Sequence, residues 1–259
     1  MIAVNKPALF YLVGDKLSKT QPAKIDLLNS PLWHRWLQPL WAVKQTLPVV
    51  FDNADIASEL ASIDCGDATS YREKLLAVLR RHLAAAKTKI EQDFYRNNDG
   101  SIYVGQHARC IDDLLILLHD EAVKFMPQSH DVAVIAVGGY GRGEMAPFSD
   151  IDVMFLMPDK ASKKHEAAIE FMLYLLWDLR LKIGHSTRSI TEAIAAGRYD
   201  QTVMTSFLEM RHVCGNVALW TKLSTALRKE IGKNKPLTFV EKKLAERDLR
   251  HKRFDDTRY

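Results

Sequence analysis

The chain has 259 residues, 47% of them hydrophobic and 26% charged, with a formal charge of +4. That length allows one large domain or two small ones, and that apolar share builds a substantial core, which excludes a disordered chain. A charge of +4 suits a triphosphate or an acidic partner but is too small to argue for nucleic acid, and no apolar run reaches the roughly 20 residues of a membrane span, so neither nucleic acid nor membrane is an expected partner.

Residues 1–69 mix Pro7, Pro22, Pro31, Pro39 and Pro48 with Trp33, Trp36 and Trp41, and no sustained period emerges; the tryptophans, at helical spacing, predict a small core or docking face. The first residues, MIAVNKPALFYLVGDKL, lack the ordered regions of a signal peptide. Cys65, Cys110 and Cys214 show no C-x-x-C spacing and offer neither a zinc site nor a disulfide framework, so a reduced, cytoplasmic protein is expected. A helix is predicted from Tyr71 to about Arg96 on the period of Leu75, Leu79, Leu83 and Ile90, and a second from about His107 to Phe125 on Ile111, Leu114, Leu115 and Leu118. His119-Asp120 lies within the second and reads as a surface pair.

The chemistry is concentrated in the next stretch. Val132 to Val137 (VAVIAV) reads as a fully buried strand, and Ile151 to Met157 (IDVMFLM) as another, stopped by Pro158. Between them run Gly138 and Gly139, then Arg142, Ser149 and Asp150. Successive strand side chains alternate, so Asp150 and Asp152 project on one face while Ile151 and Val153 enter the core. Adjacent carboxylates repel each other unless a cation lies between them, and hard oxygen ligands beside a triphosphate favour Mg²⁺. Gly138 and Gly139 permit a sharp turn whose N–H groups approach phosphate oxygens closely, and Ser149 adds a hydroxyl donor. Separately, a D-x-D or a Gly-Gly turn is common by chance; their conjunction on two apolar strands points to nucleotidyl transfer. Gly141, Gly143 and Ala146 also fit the dinucleotide fingerprint, but Pro147 and the second strand arrive where that fingerprint needs a helix.

Beyond the motif, a helix is predicted from about Lys163 to Arg180 and a third strand over Lys182 to Ser189. After Thr191 the remainder reads as helical, in segments separated near Gly215 and by Gly232 and Pro236. The expected class is α+β, a small mixed sheet with packed helices followed by a helical bundle. His185 on the third strand reads as structural, with a phosphate or base contact as the alternative. Arg142 and Arg188 are candidates to neutralise a triphosphate, with a plain surface arginine as the alternative. The basic stretch Lys242 to Arg253 reads as a solvated, salt-bridged helix face.

G-G-Y-G-R-G-E-M-A-P-F-S-D-I-D resembles the active-site segment of the PII signal protein uridylyltransferases, bifunctional nitrogen-sensing enzymes of proteobacteria within the DNA polymerase beta-like nucleotidyltransferase superfamily. The resemblance continues through Phe171 to Ile194 and Lys243 to Tyr259; it runs from about Tyr71 onward and is weak before it. It implies a polymerase beta-like sheet, Asp150 and Asp152 as Mg²⁺ ligands, and Gly138, Gly139 and Ser149 as the nucleotide phosphate loop. It also implies transfer of UMP from UTP to a tyrosine of the PII protein, with release of pyrophosphate. The domain expectation is then an N-terminal extension over 1–69, a nucleotidyltransferase domain with its preceding helices over 70–195, and a helical segment, truncated at its end, over 196–259.

Two departures qualify that resemblance. Many members of the superfamily carry a third carboxylate on a neighbouring strand, whereas LKIGHSTRS has none and Asp178 falls on a predicted helix. The family's HD hydrolase and glutamine-sensing ACT domains have no counterpart either, so the chain is expected to be a transferase module or fragment whose activity is transfer only and insensitive to glutamine. The alternatives are a protein adenylyltransferase or other nucleotidyltransferase of the superfamily, and an inactive fragment that acts only as a binding module.

Overall fold

The computed structural model describes residues 49–62 and 68–233, with Leu47, Leu244 and Asp248. Trp33, Trp36 and Trp41 and most of the basic stretch after Lys242 lie outside the described residues. By contacts the chain divides into residues 1–38 and 39–259, and every described residue belongs to the second unit.

Three helices come first. Helix α1 (Asn53–Ala61) is capped by Asp52, whose side chain accepts from the N–H groups of Ala54 and Asp55. Helix α2 (Ala68–Asn97) and helix α3 (Gly100–Phe125) follow, and the leucines that predicted them are buried. Helix α3 starts well before His107, because Asp99 caps it on Ser101 and Ile102 and carries the helix through two glycines that interrupt the apolar period.

Strand β1 (Ala133–Ala136) leads into a single helical turn, α4 (Gly138–Gly141), and a loop to β2 (Ile151–Met157). Helix α5 (Lys163–Asp178) returns the chain to β3 (Ile183–Ser189), which runs parallel to β2. Ser189 then forms a capping box with Glu192, ending the strand and opening α6 (Ile190–Tyr199). After α7 (Gln201–Leu208) comes a strand, β4 (Arg211–Gly215), where only helix was expected, and then α8 (Val217–Lys233), which runs through Gly232. The sheet is mixed, in the order β3-β2-β1-β4, with β1 antiparallel to both of its neighbours. The α+β expectation of a small mixed sheet packed with helices therefore holds, while the all-helical reading after Thr191 does not. The residues of β4 are each only partly buried and include Arg211 and His212, so the strand offers neither an apolar run nor a clean alternation.

Helices cover both faces of the sheet. Val134, Ala136, Ile151, Val153 and Phe155 join one core with α1, α2, α3 and α5, and Ala133, Ile135, Met154 and Leu156 join another with α6, α7 and α8. Strands buried on both sides read as continuous apolar runs, which is why β1 and β2 were legible.

A buried charge network ties the loop after β1 to this frame. Asp112 of α3 accepts two hydrogen bonds from Arg211 of β4, at 3.0 and 2.8 Å, and a third from the Tyr140 hydroxyl at 2.7 Å. Arg211 also donates to the carbonyls of Tyr140 and Gly141, at 3.3 and 3.4 Å. Burial, and then the Asp112 charge, hold the Tyr140 phenol well above its ordinary range, so it stays a neutral donor. Arg211→Met should remove the Arg211 charge and its two hydrogen bonds from buried Asp112 and cost about 3–5 kcal/mol. The pairing of Arg211→Met with Asp112→Leu should recover most of that loss, and urea denaturation of parent, single and double variants measures both.

Candidate active site

The acidic pair lies at the start of β2. Asp150, just before the strand, is exposed, and Asp152 is partly buried. Burial, and then the neighbouring Asp150 charge, push the Asp152 carboxyl above its ordinary value. Farther along the same face Met154 and Leu156 are fully covered. The face thus passes from solvent to core within one short strand, and its two acids occupy the open end.

Two glycines from different elements enclose the Asp152 carboxylate. Gly138 adopts φ +58°, a left-handed conformation suited to glycine, and a Cβ there would lie 3.4 Å from Asp152 Oδ2. Gly184 of β3 is the register partner of Asp152, and a Cβ there would overlap Asp152 Oδ1. The Val137 N–H donates to the Asp152 carbonyl at 3.0 Å, which fixes the loop to the strand that carries the acids. The N–H groups of Gly138 and Gly139 open the turn of α4, where helical geometry provides no intrahelical acceptor.

Arg142 is paired. Its guanidinium lies 2.7 Å from a Glu209 carboxylate oxygen and 3.3 Å from one of Glu144, beside Gly139. It is therefore next to the loop, but a phosphate would have to compete with two carboxylates for it. The Ser149 side chain is exposed, and its N–H donates to the Ala146 carbonyl at 3.2 Å, closing a turn just before Asp150.

Other candidates are directed elsewhere. Arg188 pairs in register with Leu156, and four residues of strand put it about 13 Å along β3 from Gly184. His185 is the register partner of Val153, so it projects from the opposite face to Asp152, with its ring 5.9 Å from that of Trp177. Asp178 ends α5 and pairs with Arg72 at 2.7 Å. His119 is buried rather than a surface residue, its Nε2 lying 3.1 Å from the Ser129 carbonyl, while Asp120 remains exposed. Its burial follows from α3 packing against β4 and the turn before β1 as well as against other helices. Among the described residues no three His, Cys, Asp or Glu side chains cluster as a metal site. Sequence reasoning missed Gly184, although a glycine inside a strand is a signal of close approach by another group. It also missed Asp112, Arg211 and Glu209, which come from distant segments and carry no local signal.

Comparison with known proteins places these segments in a matched range. The nucleotidyltransferase domain family matches residues 119–204, which include β1, the glycine loop, β2 and β3. The chain is 41% identical over 195 residues to the bifunctional uridylyltransferase/uridylyl-removing enzyme of Rhodospirillum rubrum, covering 73% of this chain and 21% of that protein. The proteins of the same name from Rhodopseudomonas palustris and Azospirillum brasilense are each 37% identical, over 218 and 211 residues, covering 81% and 79% of this chain and 24% and 22% of theirs. The chain thus spans between a fifth and a quarter of the length of these curated relatives. With a mixed sheet, two acids at the start of its inner strand β2 and a glycine loop beside them, residues 119–204 match the nucleotidyltransferase domain family, and the chain is similar over most of its length to proteins named as uridylyltransferases.

Proposed function

We propose that this chain transfers UMP from UTP to a tyrosine hydroxyl of a PII-type nitrogen regulatory protein in the cytoplasm, releasing pyrophosphate. The tyrosine oxygen bonds to the α-phosphorus, the bond from that phosphorus to the α–β bridging oxygen breaks with its electron pair leaving on pyrophosphate, and the phenolic proton passes to solvent. The observation that carries the reading is the Asp152 carboxylate, enclosed between Gly138 and Gly184 with Asp150 beside it. Supporting it are the relatives' names, which specify uridylyl transfer.

The acids fit a Mg²⁺ ion. Their oxygens are hard donors, and the Asp152 carboxyl is raised first by burial and then by the Asp150 charge, a partly buried anionic pair that a cation would neutralise. Asp150 and Asp152 would hold that ion, and when bound it would stabilise the charge that develops on the α-phosphate and on the departing pyrophosphate. The chain's own residues provide position. Gly138 and Gly139 bring backbone N–H groups to the phosphates, Ser149 adds a hydroxyl, and Arg142 adds a guanidinium that its two glutamates hold at the loop. The attacking hydroxyl belongs to the partner, so orientation and charge, rather than a nucleophile of its own, are what this site contributes.

The deciding experiment is incubation with Mg²⁺, a PII-type protein and labelled UTP or ATP, followed by mass analysis of the acceptor. UMP on a tyrosine supports the proposal, AMP turns it into a protein adenylyltransferase, and an unmodified acceptor rejects it. Asp152→Asn should abolish transfer, since an amide cannot replace an anionic ligand and such a loss costs several kcal/mol of transition-state stabilisation. The same variant should melt no lower than the parent, because it removes like-charge repulsion at a partly buried position. Gly184→Ala should displace the Asp152 carboxylate by about 1 Å and slow transfer by about a hundredfold. A titration of rate against Mg²⁺ for Gly184→Ala should also show a higher half-saturating concentration, with an unchanged circular dichroism spectrum.

A further inference from the structure

The loop between α4 and β2 contains a residue that stability alone would not choose. The Ser149 N–H donates to the Ala146 carbonyl, so Ala146 to Ser149 form a β-turn with Pro147 and Phe148 at its centre. Proline fixes φ near −65°, and Phe148 has φ 65°, which together define a type II turn. The second central position of that turn belongs to glycine or asparagine, because a Cβ is strained there. Phe148 carries a whole benzyl group at that position, and it is 95% exposed. Two costs coincide in one side chain, a strained backbone and an apolar ring in water. Strain of this kind is retained where function uses it.

Its position says which function. Phe148 precedes Asp150 by two residues, so their Cα atoms are at most about 7 Å apart. Its ring therefore stands at the rim of the acidic site. It lines no concavity of the kind that encloses a small ligand, but projects from the tip of a turn with almost its whole surface free. A projecting aromatic is the form in which one protein anchors in an apolar recess of another, and such anchors carry a disproportionate share of binding energy.

We infer that Phe148 is the docking residue for the polypeptide acceptor, entering an apolar recess next to the hydroxyl that is modified. This rests on the function proposed above and adds the surface through which the protein substrate is recognised. Phe148 holds the acceptor at the rim, and Asp150 and Asp152 act on the nucleotide below it. Pro147 limits the backbone of the turn, so little backbone entropy is lost on docking.

The test compares the parent with Phe148→Gly and Phe148→Tyr, using a PII-type protein as acceptor, labelled UTP, calorimetric titration of UTP and thermal melting. Glycine accepts the φ of the turn, so the melting temperature of Phe148→Gly should hold or rise. Its UTP affinity should stay within about twofold while KM for the acceptor rises about tenfold or more, the loss of one anchor side chain. Phe148→Tyr keeps the ring and should stay within about threefold of the parent in acceptor KM. An acceptor KM unchanged in Phe148→Gly overturns the inference and leaves the proposed function standing. A matching loss of UTP affinity overturns it in favour of base stacking, and a fall of several degrees in melting temperature overturns it in favour of packing within the chain. A parent that neither binds nor modifies the acceptor removes the proposed function, and this inference with it.

Discussion

Burial of the sheet on both faces is the constraint from which the rest of the structure follows. The middle strands, β1 and β2, have no solvent face, so every side chain in their interior is apolar and a charge has nowhere to go along their length. Carboxylates are tolerated only where the helical cover gives out, and Asp150 and Asp152 lie at that end of β2. The site is therefore a boundary phenomenon. Asp152 is partly desolvated by the core behind it, which strengthens its electrostatic interactions, while Asp150 is open to water.

The same constraint explains what the sequence made legible. Strands β1 and β2 announced themselves as apolar runs, and the acids stood out against that background. Helices α2 and α3 were readable from buried leucines at helical spacing, although the start of α3 was hidden behind two glycines that only the Asp99 cap reconciles with a helix. Strand β4 was invisible because its identity lies in its partners. Arg211 is satisfied by Asp112 across 99 residues of chain, and His212 packs 6.1 Å from the ring of Trp220. A polar residue whose reason for burial is elsewhere leaves no local period to read. Strand β3 was found, but the face presented by His185 depends on its register with β2, which no run of letters specifies.

Within the site, residue types were more legible than residue relations. The glycines and aspartates of the loop could be singled out from spacing, whereas the pairing of Arg142 with Glu144 and Glu209 required the fold. That pairing changes the chemical meaning of the arginine. A free guanidinium is a fixed attraction for phosphate, but one held by two carboxylates binds phosphate only to the extent that it gives up those partners. Gly184 shows the converse case, a residue whose contribution is the space it leaves for the carboxylate of another strand.

The Asp112–Arg211 pair has a consequence for the order in which this protein matures. Asp112 belongs to an early helix and Arg211 to the last strand of the sheet, and their contact also holds the carbonyls of Tyr140 and Gly141. Contacts between residues so distant in sequence close late, because their loop entropy must be met before they return any stability. During synthesis, residues 133–157 leave the ribosome well before Arg211 does, so the two acids exist for a time beside a loop that lacks the hydrogen bonds of Arg211 to the Tyr140 and Gly141 carbonyls. The shape of the candidate site is thus completed by β4 rather than by the motif, and a nascent chain has the residues of that site before it has their full arrangement.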